Sequence, residues 1–512
     1  MPTKLTTIIA LAAVAFSPLS AQKAKETETK DFAARATERE GLGVGFDREV
    51  YENPALMRFR YSTSLTSVTG RYSHRSETEA VDLQQGNRAN HGVFDAHTYI
   101  LYKKSALWGA ASYANGQTSG VRYNETSDPE LLYPYVLADT TCGSMKQERY
   151  AFSGGYASFD GRIGWGATLG YEAGLDYRNI DPRPRNVTGR LTAALGLSAK
   201  VMENYAFGAS AHFQRYQQTN NVEFLSEMGQ EKLYHFTGLD NDYARFAGTA
   251  YDTYYKGYLY GLGFQLLPLN ASGFTATFGI NRFTFENILS DLNELPLASA
   301  IHDRLAGTLA YKWRASSGDV LMLKAAAATS RRRGRENLFG DAASGVYPKI
   351  GQLDLFYHFR KEASLALLWA KTCGQFTVEA APSLGYVHDN TIYALPRSSR
   401  LINSLTWGLQ AKAMLRSGKA LHSLSVGYTA REVLDSELIL ASGTDNPSPA
   451  ARLTMSNFRF ESWRSSVLNL GLSTHIPIVR QYALTARLGW QHGFHAFNVA
   501  SNRLQATVGV EF

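Results

Sequence analysis

The sequence predicts an all-β fold, a closed antiparallel transmembrane β-barrel of about eighteen strands. Three observations carry this expectation. Apolar residues recur at every second position from about residue 60 onward, the alternating segments run to ten residues or more, and short turns alternate with long polar connections along the chain.

Composition narrows the field first. The 512 residues are 44% hydrophobic and 12% aromatic, too apolar for a disordered chain. With Gly 44, Tyr 29 and Pro 15, collagen, a proline-rich linker and a helical solenoid all fit badly. Mean hydropathy is −0.24, and after the first twenty residues no apolar run reaches the roughly 18 residues of a membrane helix. The net charge of +7 is spread along the chain rather than gathered into a basic face, so no nucleic-acid interface is expected. Cys142 and Cys373 sit in no CxxC or Cys/His spacing, so neither a thiolate metal site nor a cofactor is expected.

The elements follow in chain order. Lys4, the apolar stretch Ile8 to Phe16, Pro18 and the small residues before Gln22 form a secretory leader, residues 1–21, with cleavage expected after Ala21. Residues 22–60 form a charged segment, dense from Lys23 to Glu40, read as a periplasmic tail in preference to a short helix entering the lumen. Gly41-Leu42-Gly43-Val44-Gly45 reads as linker.

Residues 61–512 form the barrel. Leu504, Ala506, Val508, Val510 and Phe512 alternate with Gln505, Thr507, Gly509 and Glu511, and Leu191 to Lys200, Phe274 to Asn281, Ser404 to Ala413 and Tyr482 to Gln491 repeat the pattern. Strands of this length suit tilted passage through a bilayer, which takes about 9–11 residues. Eight short turns are expected, from Lys103 to Ser105 through to His475 to Arg480. Long outer connections are expected at Ser119 to Met145, Gln218 to Arg245, Arg331 to Gly351 and Glu432 to Ala450. Lys361 falls on the apolar parity, marking either a turn at Arg360 to Glu362 or a strand rising above the lipid; sixteen strands would also close. Aromatic residues near segment ends, such as Tyr311, Trp313, Trp369, Phe376 and Trp490, suit interfacial girdles.

The alternating strand that ends on Phe512, with the Ala21-Gln22 cut and the segment Glu52-Asn53-Pro54-Ala55-Leu56, resembles outer-membrane barrel proteins. That five-residue segment is similar to one preceding the first strand in several such families, the fatty-acid channels among them. The whole pattern is most similar to an uncharacterised Bacteroidota-type outer-membrane β-barrel family. The resemblance implies a Gram-negative outer-membrane location and recognition of the final aromatic by the barrel-assembly machinery. It transfers no activity.

On the polar parity, Arg162, Lys200, Lys312, Arg314 and Lys412 lie beside short turns and would gather at the periplasmic mouth, as a cationic constriction or paired with carboxylates across the lumen. Arg331, Arg332, Arg333 and Arg335, placed on an outer loop, would clamp lipopolysaccharide phosphates or form a solvated tip. His492 and His495 would occupy the last outer connection without identified third and fourth ligands, and no GxSxG elbow is present, so no catalytic or metal site is nominated. His212, Asp354, His358 and Glu379 would share the lumen face. The expected function is a channel or transporter for small solutes, not an enzyme. The alternatives are an outer-face hydrolase and a component of a surface uptake or secretion complex. Outer-membrane lipid, lipopolysaccharide and an uptake or secretion protein are the expected partners.

Overall fold

The computed structural model describes residues 32–226, 232–247, 252–343, 345–443, 445–479 and 482–512. The expected leader, and residues 22–31 of the charged segment, lie outside the described residues. Eighteen antiparallel strands form one sheet, in which each strand pairs with its neighbour in the barrel sequence and β1 pairs with β21 to close the cylinder.

The wall consists of β1 (Leu65–Glu77), β2 (Arg88–Leu101), β3 (Ser105–Val121), β5 (Gly143–Phe159), β6 (Ile163–Tyr177), β7 (Arg183–Met202), β8 (Tyr205–Glu223), β11 (Thr253–Pro268) and β12 (Gly273–Leu289). It continues through β13 (Leu295–Arg314), β14 (Val320–Phe339), β15 (Lys349–Cys373), β16 (Phe376–Tyr393), β17 (Ser398–Ser417), β18 (Ala420–Ile439), β19 (Ser465–Val479), β20 (Tyr482–Phe494) and β21 (Ala500–Glu511). The short strands β4 (Val136–Ala138), β9 (Tyr234–Gly238) and β10 (Asn241–Tyr243) form a separate small sheet.

Alternation decides which face meets what. On β13 to β15 the outward positions pair in rows: Trp313, Leu321 and Trp369 beside the short turns, then Tyr311, Leu323 and Leu367, then Leu309, Ala325 and Leu365, then Gly307, Ala327 and Ala363. Above them come Leu305, Thr329 and Lys361, and then Asp303, Arg331 and Phe359. Leu309, Leu323 and Leu365 are each more than half exposed, as are Leu195, Leu262, Leu472 and Leu488 elsewhere on the wall. An apolar outer belt on a barrel with no free edge is the arrangement that lets strands cross hydrocarbon with every backbone group paired.

Four expectations shift. Arg331 to Arg335 do not lie in a loop, because β14 runs to Phe339 and the connection is only 340–348. Gln352 to Lys371 contains no turn, since β15 is continuous and carries Lys361 on its outer face above the apolar rows. Long side chains make both strands amphipathic beyond the lipid, so a charge run does not mark a strand's end there. Glu432 to Ala450 is strand up to Ile439, and the connection beyond it includes a helix. His475 lies within β19 and is almost fully buried, not in a turn.

The charged N-terminal segment is not a free tail over its described part. Helix α1 (Phe32–Glu40), helix α2 (Gly43–Phe46) and two 3-10 turns, Arg48–Glu52 and Pro54–Phe59, precede β1. The first helix touches β18 and β19, the second β14, the first 3-10 turn β11 and β12, and the second β3 and β5 to β8. A chain that meets these strands in turn, against side chains of the polar parity, follows the inner wall. The segment is therefore a collar inside the barrel at the short-turn end. Its apolar side chains explain the choice: Leu56, Val50 and Ala55 are buried, and Phe32, Ala33 and Ala36 pack with Met414 and Leu421.

Candidate functional site

The lumen is furnished at both ends. On the long-loop side, α3 (Pro129–Leu132), the small sheet and α4 (Pro449–Glu461) fold inward as a cap. Leu132, Tyr135 and Val136 pack against Tyr216, Tyr255, Phe283 and Phe285, which point inward from β8, β11 and β12. Arg332 points inward as well and donates to the carbonyls of Glu130 (3.0 Å) and Tyr133 (2.7 Å), tying α3 to the wall. Arg400 bridges Asp389 on the wall (2.9 Å) and Glu461 at the end of α4 (2.6 Å).

Within the cap, Arg178 is buried between Glu125 and Asp139, with 2.8 Å to the latter. Burial, and then the neighbouring Asp139 carboxylate, push the Glu125 carboxyl well above its ordinary range despite Arg178. The two acids thus carry about one negative charge between them, which the single guanidinium balances. His235 is wholly enclosed, and burial pushes its imidazole down to about 4, opposed only by its contact with the Phe246 carbonyl. It is a neutral packing group at neutral pH.

On the short-turn side the collar is latched by charge. Glu40 meets Lys412 at 2.6 Å, Arg487 at 3.0 Å and His475 at 3.4 Å, while His475 and Arg487 also contact Glu511 at 2.9 and 3.3 Å. Burial alone would raise the Glu40 carboxyl, but His475, Lys412 and Arg487 together outweigh it and hold the group well below the usual carboxylate range. Lys324 holds Glu49 at 2.8 Å. Burial raises the Asp47 carboxyl against the opposing charges of Lys312 and Lys324. Glu379 accepts from the Leu42 backbone N–H at 2.6 Å. In the ion pairs between them the collar supplies the acids Glu40 and Glu49 and the wall the cations Lys412, Arg487 and Lys324, while Glu379 and Glu511 are acids of the wall itself.

The second 3-10 turn docks by shape. Asn53 caps it, its Oδ1 accepting from the Ala55 N–H at 2.9 Å while its amide donates to Gln265 Oε1 at 2.8 Å. The wall opposite is flattened by Gly196 and Gly208, where an added Cβ would stand 2.0 Å and 2.6 Å from Asn53 atoms. Asn53 and Ala55 have no exposed surface.

The collar reaches β1, β2 and β20 as well, through Leu65 and Ala483 beside Phe32, through the Tyr99 hydroxyl, which donates to the Met57 carbonyl at 2.8 Å, and through Arg487. It nevertheless leaves a gap against the inner wall of these strands and β21. There a polar cavity of ≈ 390 Å³ is lined by Ser67, Thr69, Arg71, Asp95, His97, Gln505 and Thr507, and is bounded by Glu40, Lys412 and Arg487 of the latch. Arg71 and Asp95 form a pair at 3.4 Å. Hydroxyls, one amide, one imidazole and a neutralised ion pair suit a hydrated polar solute. The gap holds no cluster of groups able to bind a metal, and none occurs among the described residues.

The five expected lumen cations separate. Lys412 is buried in the latch, and Lys312 faces Asp47 of the collar. Arg162 lies exposed in the turn between β5 and β6, with Lys200 exposed beside it and Arg314 exposed near the end of β13. His212, Asp354, His358 and Glu379 do not meet. His212 contacts Ser210 at 3.0 Å, His358 contacts Asp389 at 3.1 Å, and Asp354 binds Arg335 at 2.6 Å. His492 belongs to β20, where it contacts Asn502 at 2.7 Å, and His495 contacts Ser501 at 3.0 Å. Sequence reasoning missed Glu40, Asn53, His475 and Arg487. The available signal was acidic residues before the barrel matched by basic residues of lumen parity near short turns.

A family profile described as a family of unknown function, DUF6850, matches residues 54–512. The chain belongs to DUF6850. No curated protein matches this DUF6850 member. Among solved structures, it is similar to the copper transporter OprC at 10% identity, covering 88% of this chain and 80% of that one with a TM-score of 0.41. It is similar also to BauA, the ferric preacinetobactin receptor of Acinetobacter baumannii, at 9% identity, 87% and 80% coverage and a TM-score of 0.39. A mutant of TodX, a monoaromatic hydrocarbon channel, matches at 11% identity, 90% and 93% coverage and a TM-score of 0.33. Overlap of this degree leaves the solute to be read from the residues of the DUF6850 chain itself.

Proposed function

We propose that this protein is a Gram-negative outer-membrane channel or transporter for small polar solutes. In this reading the long-loop cap faces outward and the collar faces the periplasm. The observation that supports it best is the polar cavity beside the latch, between the collar and the inner wall of β1, β2, β20 and β21. The cap sits over the opposite mouth, so passage requires the cap to yield, and the latch sets how much of the lumen end the collar obstructs. A patch of hydroxyls with one balanced ion pair, bordered by the mutually paired charges of the latch, favours neutral or zwitterionic solutes over a strongly charged one.

The test is planar-bilayer recording of the purified protein and of Lys412→Ala. The expected result is small, gated openings in the natural protein and larger or longer ones in the variant, whose Glu40 loses its nearest cation. Silence of both proteins at every voltage and after proteolytic trimming of the cap would reject the channel reading.

A further inference from the structure

Outside the lumen, charge appears where the apolar rows stop. From Trp313 to Leu305 the outward face of β13 rises eight residues, about 26 Å along the strand and about 20 Å along the barrel axis at a tilt near 40°. That is close to the apolar height of an outer-membrane barrel, so the next outward positions stand among lipid headgroups. On β14 the next outward position is Arg331, with Arg333 one row above, and its diagonal neighbour Lys361 on β15 closes the Leu305 row itself, at the upper margin of the belt.

These three cations are poorly compensated. Neither Arg331 nor Lys361 has a carboxylate within 4.0 Å among the described residues, and both are exposed. Arg331 lies over the Phe359 ring at 5.4 Å, which fixes its guanidinium without neutralising it. The nearest acid to Arg333, Asp354, stands 3.9 Å away and is already held by Arg335 at 2.6 Å. Asp303, beside Arg331 in the sheet, is engaged by Arg282 at 2.6 Å.

We infer that Arg331, Arg333 and Lys361 form a binding site for the phosphate of an anionic outer-leaflet lipid whose acyl chains lie on the apolar rows below. Guanidinium groups take phosphate oxygens in pairs, and the lysine adds a point charge. The site is continuous with the lipid-facing belt, so a lipid is held at both ends. Free phosphate would meet only exposed charges screened by salt. Arg332, on the opposite parity, takes no part because it ties the cap from within. The inference rests on the belt meeting lipid and stands apart from the channel reading.

The experiment places the full protein in nanodiscs of zwitterionic lipid and measures retention of bisphosphorylated lipid A, of the same lipid dephosphorylated, and of the first in millimolar inorganic phosphate. Variants are Arg331→Ala/Arg333→Ala/Lys361→Ala, the charge-keeping Arg331→Lys/Arg333→Lys, and Arg215→Ala on the outer face of β8. Folding of each is confirmed by heat-modifiable electrophoretic mobility. The expected result is retention of the phosphorylated lipid about tenfold weaker in the triple alanine variant, intermediate in the lysine variant and unchanged in Arg215→Ala. The dephosphorylated lipid should be held weakly by all four proteins, and inorganic phosphate should not displace the lipid. Equal retention by the triple variant, equal retention of the dephosphorylated lipid, or full displacement by inorganic phosphate would each overturn the assignment, whether or not the protein conducts.

Discussion

At the scale of single residues, the collar depends on Asn53 and on the glycines it faces. Asn53 has no exposed surface, and its amide is a partner of Gln265 Oε1. Asn53→Ala removes both the cap of the second 3-10 turn and that partner, at a cost of about 1–3 kcal/mol. The expected readout is faster protease cleavage between residues 46 and 60 with the barrel intact. Gly196→Ala should act from the other side. Its Cβ would stand 2.0 Å from Asn53 Oδ1 and 2.9 Å from the Ala55 backbone nitrogen, so the turn must move. Greater conductance with unchanged heat-modifiable mobility is the expected outcome, and a collar as protected as in the natural protein would contradict the contact. The segment Glu52 to Leu56 was visible in the sequence as a resemblance. Its glycine counterpart was not, because Gly196 and Gly208 are more than a hundred positions away on the polar parity of two strands, where glycine usually means only a thin side chain.

At the scale of elements, collar and cap respond to pH in the same direction for different reasons. Glu40 is held ionised by its partners, so the stability it gives α1 is complete above its ordinary pKa of 4.5 and is lost progressively as pH falls below that value. Conductance should rise on acidification from pH 5 toward pH 3, and Glu40→Gln should remove most of that dependence. His235 is a base kept neutral by burial, with its pKa lowered from 6.5 to about 4. An opened cap takes up a proton in that window and a docked cap does not, so docking is strongest above about pH 6.5 and weakens toward pH 4. Hydrogen exchange of the β9 amides should accelerate over that interval and become pH-independent, after correction for intrinsic rates, in His235→Phe. In the same cap, Arg178→Ala strands Glu125 and Asp139 without their shared cation, at about 3 kcal/mol even though Glu125 holds its proton readily. Limited proteolysis should then open the loop 122–142 before any strand. The charge run of residues 23–40 was legible, but not its destination, because a solvated tail and a latched helix have the same composition. What separates them is Lys412, His475, Arg487 and Glu511, spread over four strands.

At the scale of the molecule, closure and sidedness give a simple check. Cys142 lies exposed beside the start of β5 on the long-loop side, and Cys373 lies exposed at the end of β15 beside a short turn. Membrane-impermeant maleimide applied to whole cells should label Cys142→Ser not at all and Cys373→Ser fully, while both variants should label after lysis. The reverse pattern would invert the barrel.

The eighteen strands, their outward faces and the alternation of short and long connections were determined by the sequence alone, because a two-residue period is a local property and hydrocarbon outside a cylinder enforces it on every strand. The tertiary structure decided what fills the cylinder. Whether Lys412 faces a pore or a carboxylate, whether Arg332 points in while Arg331 and Arg333 point out, and where a polar cavity remains beside the collar all depend on residues brought together from distant strands. Polar positions alternate in the same way whether they meet water, a collar or a cap, so their period says where they face and not what they meet.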